Sequence, residues 1–209
     1  MIKKNYLEDL NKSKKPFIIY RSNKGFDLYT NFSKKIFLTK NNIEKFINQC
    51  TKLKSKNKET DLFIGFFGYE ILNNLIDIKI KKQKGLKFPK GIFYKPESKI
   101  KLPKKINYKN LETIKSNKIF KININKASYK VIFDKFKKKI KSGETYQIKI
   151  CTKYSNKTQI DALDFFCRLV ESNMAPEAFM IKDKDYSIIS CSPENLINKK
   201  NDFITTKPI

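Results

Sequence analysis

The sequence predicts an α+β fold in which antiparallel β-sheets carry flanking helices. Apolar residues recur at helical spacing in Ile43–Leu53, Tyr129–Ile140 and Ile160–Val170. Short apolar or alternating runs occupy the remaining segments, and turn residues separate them, as in an antiparallel meander. Helices that are segregated from antiparallel strands are typical of the α+β class.

The N-terminal region is predicted to start with a small meander. Its strands are the runs Phe17–Tyr20, Phe26–Tyr29 and Ile36–Leu38, which Asn, Ser, Gly and Lys residues interrupt. The first helix is predicted to follow Asn42, because an Asn side chain can cap the first turn of a helix. Residues 54–60 are expected to end this helix.

A buried strand is predicted next, at Leu62–Tyr69. It contains Gly65 and Gly68, and glycines inside a strand indicate that another backbone approaches closely. We therefore expect these glycines to be packing residues without a chemical role. An apolar, helix-like run follows at Ile71–Ile76.

The lysine-rich segment 79–118 contains three prolines and one predicted strand, at Gly91–Tyr94. Its latter part has the composition of a linker. The sequence therefore predicts an N-terminal region with a linker at residues 1–118 and a second domain at residues 119–209.

The second domain is predicted to begin with a strongly amphipathic helix, which Asn125 caps and Ser142–Gly143 terminates. A strand is predicted at Thr145–Thr152, and the helix at 160–170 follows it. The last predicted strands are Ala178–Lys182, Tyr186–Ser190 and Phe203–Thr206.

Composition places the chain among globular proteins. At 209 residues, 40% of them hydrophobic, it is long enough to bury a core. It has no run of 18 apolar residues, and its first ten residues lack the apolar stretch of a signal peptide. We therefore expect a cytoplasmic protein that does not bind a membrane.

Residue usage also limits the possible chemistry. The chain has no histidine, which excludes histidine-based acid–base catalysis and most zinc sites. Cys50, Cys151, Cys167 and Cys191 show no CxxC spacing and lie in apolar segments, which predicts buried, reduced thiols. Catalysis would have to use carboxylates, lysines, hydroxyls or amides.

The net charge of +26 is the footprint of a nucleic-acid-binding protein, but its distribution argues against that function. Of the 46 basic residues only Arg21 and Arg168 are arginines, the residue type preferred for gripping phosphates and reading bases. The lysines are scattered along the whole chain, so a compositional bias at solvated positions explains them better. Nucleic acid is therefore not expected as a partner.

Short motifs follow one another in a fixed order. Gly65–Glu70 reads GFFGYE, Ile140–Gln147 reads IKSGETYQ, Asn173–Pro176 reads NMAP, Ser192–Glu194 reads SPE and Thr205–Ile209 reads TTKPI. Each motif alone is weak, but the order and spacing together are specific.

This order resembles that of the chorismate-binding enzymes of the aminodeoxychorismate synthase and anthranilate synthase component I kind. The resemblance is strong from about residue 126 onward and implies the first part of an anthranilate synthase component I-like sandwich. Glu144 stands where the family usually has Asp, Met174 where it has Pro, and Lys207 where it has Arg.

The resemblance implies catalytic roles for Gln147 and Glu194. Aminating members have Gln at the first position, whereas water-adding members have a Lys that activates water, a role that a neutral amide cannot fill. The second residue would be the proton donor for the departing C4 hydroxyl of chorismate. From the residues alone, Gln147 could be a polar strand residue, and Glu194 could be a carboxylate at a helix N-terminus.

The resemblance also implies chorismate as substrate, Mg2+ as cofactor and a glutamine amidotransferase subunit as partner. In the family the metal-binding glutamates, a catalytic His and a carboxylate-gripping Arg lie beyond the motif that matches Thr205–Ile209. We therefore expect no metal ligand within these 209 residues, and we expect the chain to be inactive alone. The resemblance names no further substrate-binding residue here.

Local features favour aminodeoxychorismate synthase, although anthranilate synthase component I remains an alternative. Anthranilate synthases tend to have Ser-Pro-Tyr and Gly-Ala-Ser where this chain has Ala175–Glu177 and Ser190–Ser192. The chain also lacks their Leu-Leu-Glu-Ser segment, so feedback by tryptophan is not expected. We predict Lys as the residue after Ile209, whereas Ala would indicate anthranilate synthase. From another class, the chain could be a non-catalytic remnant that binds an amidotransferase, or a basic nucleic-acid-binding module.

Overall fold

The computed structural model describes residues 6–22, 24–51, 59–71, 88–108, 119–156, 160–200 and 202–207. The chain divides into two compact units. Unit 1 comprises residues 1–109 together with 162–209, and unit 2 comprises residues 110–161. No helix in the described ranges is long and apolar enough to cross a membrane.

Both units combine helices with antiparallel strands, so the predicted α+β class is confirmed. In chain order the elements are α1 (Tyr6–Lys12), β1 (Phe17–Ser22), β2 (Gly25–Phe37), α2 (Ile43–Thr51), β3 (Ile64–Phe67), a 3-10 turn (Tyr69–Ile71), β4 (Gly91–Leu102), β5 (Lys121–Ile122), α3 (Lys126–Lys141), β6 (Tyr154–Ser155), α4 (Ala162–Asn173), β7 (Glu177–Lys182), β8 (Ser187–Ser192), β9 (Asn195–Lys200) and β10 (Phe203–Lys207).

Unit 1 is organised around a six-stranded antiparallel sheet with the order β3-β4-β2-β1-β7-β8. Strands β7 and β8 come from the second half of the chain and extend the sheet that the first half forms, since Ile18 pairs with Ile181. A separate hairpin of β9 and β10 follows. The sheet therefore joins segments that lie on both sides of residue 118.

The predicted strands of the N-terminal meander were too short. Phe26–Tyr29 and Ile36 belong to one strand, β2, and β4 continues far beyond Tyr94. The two strands stabilise each other because they pair along almost their whole length. Pro96 is tolerated inside β4 because it faces Phe32, next to an irregularity in the register.

Alternation along the strands creates two apolar faces. One face includes Phe17, Ile19 and Phe26, and the helix α4 covers it with Leu163 and Phe166; all five side chains are at most 2% exposed. On the other face, buried strand residues pack against one another: Ile18, Tyr29, Ile92, Tyr94 and Ile181.

The helix predicted after Asn42 is confirmed as α2, whose Ile43 and Phe46 are buried. The capping role expected for the Asn42 side chain is wrong: its Oδ1 accepts a hydrogen bond from the backbone N–H of Thr39 at 2.8 Å and so fixes the turn before the helix. The expectations for residues 54–58 and 72–76 lie outside the described residues.

The glycine-containing strand is confirmed in a shorter form, as the edge strand β3, and it is half-buried where a buried strand was expected. Gly65 pairs with Phe93 of β4. A Cβ atom at Gly65 would lie 1.9 Å from the carbonyl oxygen of Ile92. The expected close approach of another backbone is therefore present.

We predict that Gly65→Ala lowers the free energy of unfolding by about 1–3 kcal/mol, because the methyl group must displace the backbone of β4. Gly68→Ala should cost less, since its Cβ would lie 2.7 Å from the carbonyl oxygen of Lys90. Urea unfolding of the two variants measures both changes. Equal stability of Gly65→Ala and the wild type would contradict this prediction.

Unit 2 contains α3 and the short pair β5–β6. The predicted cap is confirmed, because Asn125 Oδ1 accepts a hydrogen bond from the backbone N–H of Ser128 at 2.8 Å. Gly143, with φ of 77°, lies directly after the C-cap residue Ser142. The apolar stripe of α3 is nevertheless not buried: its members are half-buried or exposed.

The strand predicted at Thr145–Thr152 is wrong. That segment is irregular, and only Tyr154 and Ser155 beyond it form a described strand. A strand requires a hydrogen-bonding neighbour, and the pairing described in this unit is confined to β5 and β6. Cys151 in this segment is exposed, so its expected burial is also wrong, although all four cysteines are free, as expected.

Candidate functional site

Glu194 lies in the turn between β8 and β9, and its side chain is exposed. The turn is held by Ser192, whose Oγ donates to the carbonyl oxygen of Glu194 at 3.1 Å and accepts from its backbone N–H at 3.3 Å. The helix considered for this position is not present. A strand, β9, follows instead, because it pairs with β10 from Asn195 to Lys200.

Gln147 lies in the irregular segment after α3 and is exposed. Its carbonyl oxygen accepts a hydrogen bond from Thr145 Oγ1 at 3.1 Å. The neighbouring side chain of Tyr146 is 91% exposed. Gln147 belongs to unit 2, whereas Glu194 belongs to unit 1.

The Asn173–Pro176 segment connects α4 to β7, and its departure from the family pattern has a structural reason. Met174 has φ of 46°, and its N–H donates to the carbonyl oxygen of Val170 at 3.0 Å. Proline has no N–H and is restricted to φ near −65°, so it fits neither feature. The next residue, Ala175, is buried.

Pro176 is one of the residues that line a cleft of about 640 Å3 in unit 1. The cleft lies where the end of β1, the start of β7 and β9 meet. Glu177 lines the cleft, and its carboxylate accepts hydrogen bonds from Tyr20 Oη at 2.7 Å and from Asn195 Nδ2 at 2.9 Å. Burial, together with this hydrogen bond to Glu177, raises the pKa of Tyr20 to about 12.

The cleft also carries polar atoms that are buried and have no partner among the described residues. These atoms are Arg21 Nη1, Ser22 Oγ and Asn195 Oδ1. The Arg21 guanidinium lies 5.8 Å from the ring centroid of Phe26. Unpaired polar groups around a cavity suit a small polar molecule better than an apolar one.

Sequence reasoning had singled out Glu177 and Pro176 but not Tyr20, Arg21 or Asn195. The Tyr20–Glu177 bond joins residues that are 157 positions apart. No local pattern could have revealed this pairing, because it depends on the order of the strands in the sheet.

The described residues do not form a metal centre. No group of three or more His, Cys, Asp or Glu side chains among them could hold a metal ion. The residues described here therefore do not fit Mg2+ as a site of their own, and we derive no step through the metal.

Comparison with known proteins supports one family. The family model described as chorismate binding enzyme matches residues 4–209. Aminodeoxychorismate synthase component 1 of Bacillus subtilis is 30% identical over 76 residues, which cover 36% of this chain and 16% of that protein. The Salmonella typhimurium protein of the same name is 30% identical over 87 residues, which cover 42% of this chain and 19% of that protein.

A relative with the other activity matches over a longer segment. Anthranilate synthase component 1 of Bacillus subtilis is 28% identical over 163 residues, which cover 77% of this chain and 28% of that protein. The matches thus span less than a third of each of these three relatives. Because the family model covers almost the whole chain, this protein belongs to the family of chorismate-binding enzymes.

Proposed function

We propose that this chain is part of component I of a cytoplasmic aminodeoxychorismate synthase, which converts chorismate and ammonia to 4-amino-4-deoxychorismate. The observation that carries the proposal is the ordered set of motifs, including Gln147, within a family match over residues 4–209. Ammonia would come from a glutamine amidotransferase partner, and Mg2+ would bind outside the described residues.

Gln147 supports ammonia rather than water as the nucleophile. An amide side chain is neutral and cannot remove a proton from water, whereas ammonia needs no such base to attack carbon. The side chain of Gln147 is exposed in the irregular segment after α3, so a substrate can reach it. Its proposed role is to position the nucleophile by hydrogen bonding, since an amide offers both donors and an acceptor.

Glu194 is the proposed proton donor to the leaving C4 hydroxyl. A hydroxide ion is a poor leaving group, and protonation in the transition state converts it to water. The hydrogen bonds between Glu194 and Ser192 use the backbone atoms of Glu194, so these contacts leave its carboxyl group available.

The surroundings of Glu177 support the aminodeoxychorismate branch over the anthranilate branch. The resemblance implies that Glu177 stands where the tryptophan pocket of anthranilate synthases has a Tyr, and Tyr20 and Asn195 already donate hydrogen bonds to its carboxylate. An indole in the cleft would have to displace these hydrogen bonds. Anthranilate synthase component I stays the second candidate, because a relative of that name matches 77% of the chain.

Substitution of Gln147 by Lys in the whole enzyme tests the proposed nucleophile. We expect Gln147→Lys to reduce amination and to yield isochorismate, because the lysine can act as a base toward water. Product analysis by chromatography measures both changes, and Lys149→Gln, at a nearby exposed position, is the control. Unchanged amination without a hydroxylated product would remove Gln147 from the reaction.

A further inference from the structure

A second cavity, of about 550 Å3, lies in unit 1 between the N-terminal segment and β2. It shares no lining residue with the cleft around Glu177. Leu10 and Pro16 contribute apolar surface from the N-terminal segment, and Phe32 and Tyr94 contribute rings from the sheet. Walls of this kind suit a ligand with an aromatic ring.

Among the residues that line this cavity, Thr30 carries a buried hydroxyl group without a hydrogen-bond partner among the described residues. The residue is 3% exposed. A buried hydroxyl without a partner is unfavourable. Rotation of about 120° about the Cα–Cβ bond moves Oγ1 to another staggered position, so a change of rotamer can present the hydroxyl to a ligand.

Asn31, the next residue, also lines the cavity. Its φ is 51°, which is uncommon for a residue other than glycine. Its side-chain Nδ2 donates to Ser98 Oγ of β4 at 3.2 Å. Backbone conformations of this kind are concentrated at ligand sites, where the surrounding structure holds them in place.

Charged side chains surround the apolar wall. Lys15 and Lys35 both line the cavity, and Asp9 contributes one exposed carboxylate. The ammonium group of Lys35 lies 2.6 Å from the carboxylate of Asp183, which leaves two of its N–H donors for other partners. With a net charge of +26, the field of the whole chain favours an anion.

From this wall we infer that the cavity binds a small aromatic carboxylate. Its ring packs against Leu10 and Phe32, and its carboxylate accepts a hydrogen bond from Thr30 in the field of Lys15 and Lys35. The inference does not depend on amination of chorismate, because neither Gln147 nor Glu194 lines this cavity.

Titration of the 209-residue chain with benzoate, benzamide and acetate tests the ligand class. We expect benzoate to bind about tenfold more tightly than benzamide, which has the ring without the charge, and acetate to bind more weakly than both. Isothermal titration calorimetry measures the affinities. Absence of benzoate binding at millimolar concentration would overturn the inference.

Two variants test the assigned residues. Thr30→Val keeps the shape of the side chain and removes the hydroxyl. It should weaken benzoate binding about tenfold and, because a buried unpaired group is lost, raise the midpoint of thermal unfolding by about 2–4 °C. A purely structural hydroxyl would give the opposite result: a lower midpoint and unchanged affinity, which would overturn the role of Thr30.

Lys15→Met should reduce the preference for benzoate over benzamide, because it removes one of the two lysine charges at the cavity and the other, Lys35, is already paired with Asp183. Lys14→Met is the matched control, since Lys14 is also exposed but does not line the cavity. Equal effects of the two substitutions would contradict the assignment of the carboxylate to this cavity.

Discussion

Glu194→Gln is expected to reduce the rate of chorismate amination by the whole enzyme roughly 10²–10⁴-fold, the usual contribution of a general acid. Glutamine has the same shape as glutamate but cannot deliver a proton to the departing hydroxyl. The turn should keep its structure, because the hydrogen bonds with Ser192 use the backbone N–H and carbonyl of residue 194. Steady-state kinetics with saturating ammonium measure the loss.

Two measurements separate a chemical role from a structural one. Circular dichroism and the unfolding midpoint of Glu194→Gln should equal those of the wild type. Glu97→Gln, which neutralises an exposed carboxylate elsewhere in unit 1, should leave the rate unchanged. If Glu194→Gln were as active as the wild type, Glu194 would be a turn residue only.

Asp183→Ala is expected to lower the free energy of unfolding by about 2–4 kcal/mol, because it removes the buried acceptor of the Tyr94 hydrogen bond and the partner of Lys35, whose own side chain is 37% exposed. The carboxylate of Asp183 lies 2.6 Å from Lys35 Nζ and also accepts a hydrogen bond from Tyr94 Oη. The backbone N–H of Lys184 donates to its other oxygen at 2.7 Å. These contacts connect the β7–β8 turn to β2 and β4, and urea unfolding at neutral pH measures their loss.

The same carboxylate should make stability depend on pH. Burial raises the pKa of Asp183, but the hydrogen bonds from Lys35, Tyr94 and Lys184 outweigh burial and hold this pKa below its ordinary value. An aspartate with a lowered folded-state pKa contributes stability above its unfolded pKa of about 3.9, and that contribution is lost as the pH falls through the folded pKa.

Asp183→Asn should therefore flatten the acid limb of the stability curve below about pH 4. Asp185→Asn is the matched control, because Asp185 lies in the same turn but is exposed. Parallel acid limbs for the wild type and Asp183→Asn would show that Asp183 does not supply this part of the pH dependence.

The helices were the most predictable elements of the fold. A stripe of apolar residues is a local feature, and it correctly placed α2, α3 and α4; the capping side chain of Asn125 also marked the start of α3. The lengths of β2 and β4 were not predictable, because their pairing extends through charged and proline-containing segments that alternate poorly. The strand prediction for residues 145–152 was wrong for a different reason. The segment alternates like a strand, but no strand pairs with it among the described residues.

Some features of the candidate site were likewise predictable from the sequence, and others were visible only in the structure. The motifs alone identified Gln147 and Glu194 as candidate site residues. The family match agrees with the order of those motifs. Their exposure and the turn that holds Glu194 came from the structure. The roles of both residues stay predictions until the variants are assayed.

Sequence alone thus determined the family, the α+β class and the helices α2, α3 and α4, because these depend on residue order and on spacing within one segment, whereas α1 was not predicted. Tertiary structure decided which distant residues meet. Tyr20 binds Glu177, Lys35 binds Asp183, and Thr30 lines a cavity without a hydrogen-bond partner among the described residues. The physical reason is that these contacts and cavities depend on strand order and register, which bring Tyr20 and Glu177 together across 157 positions of the chain.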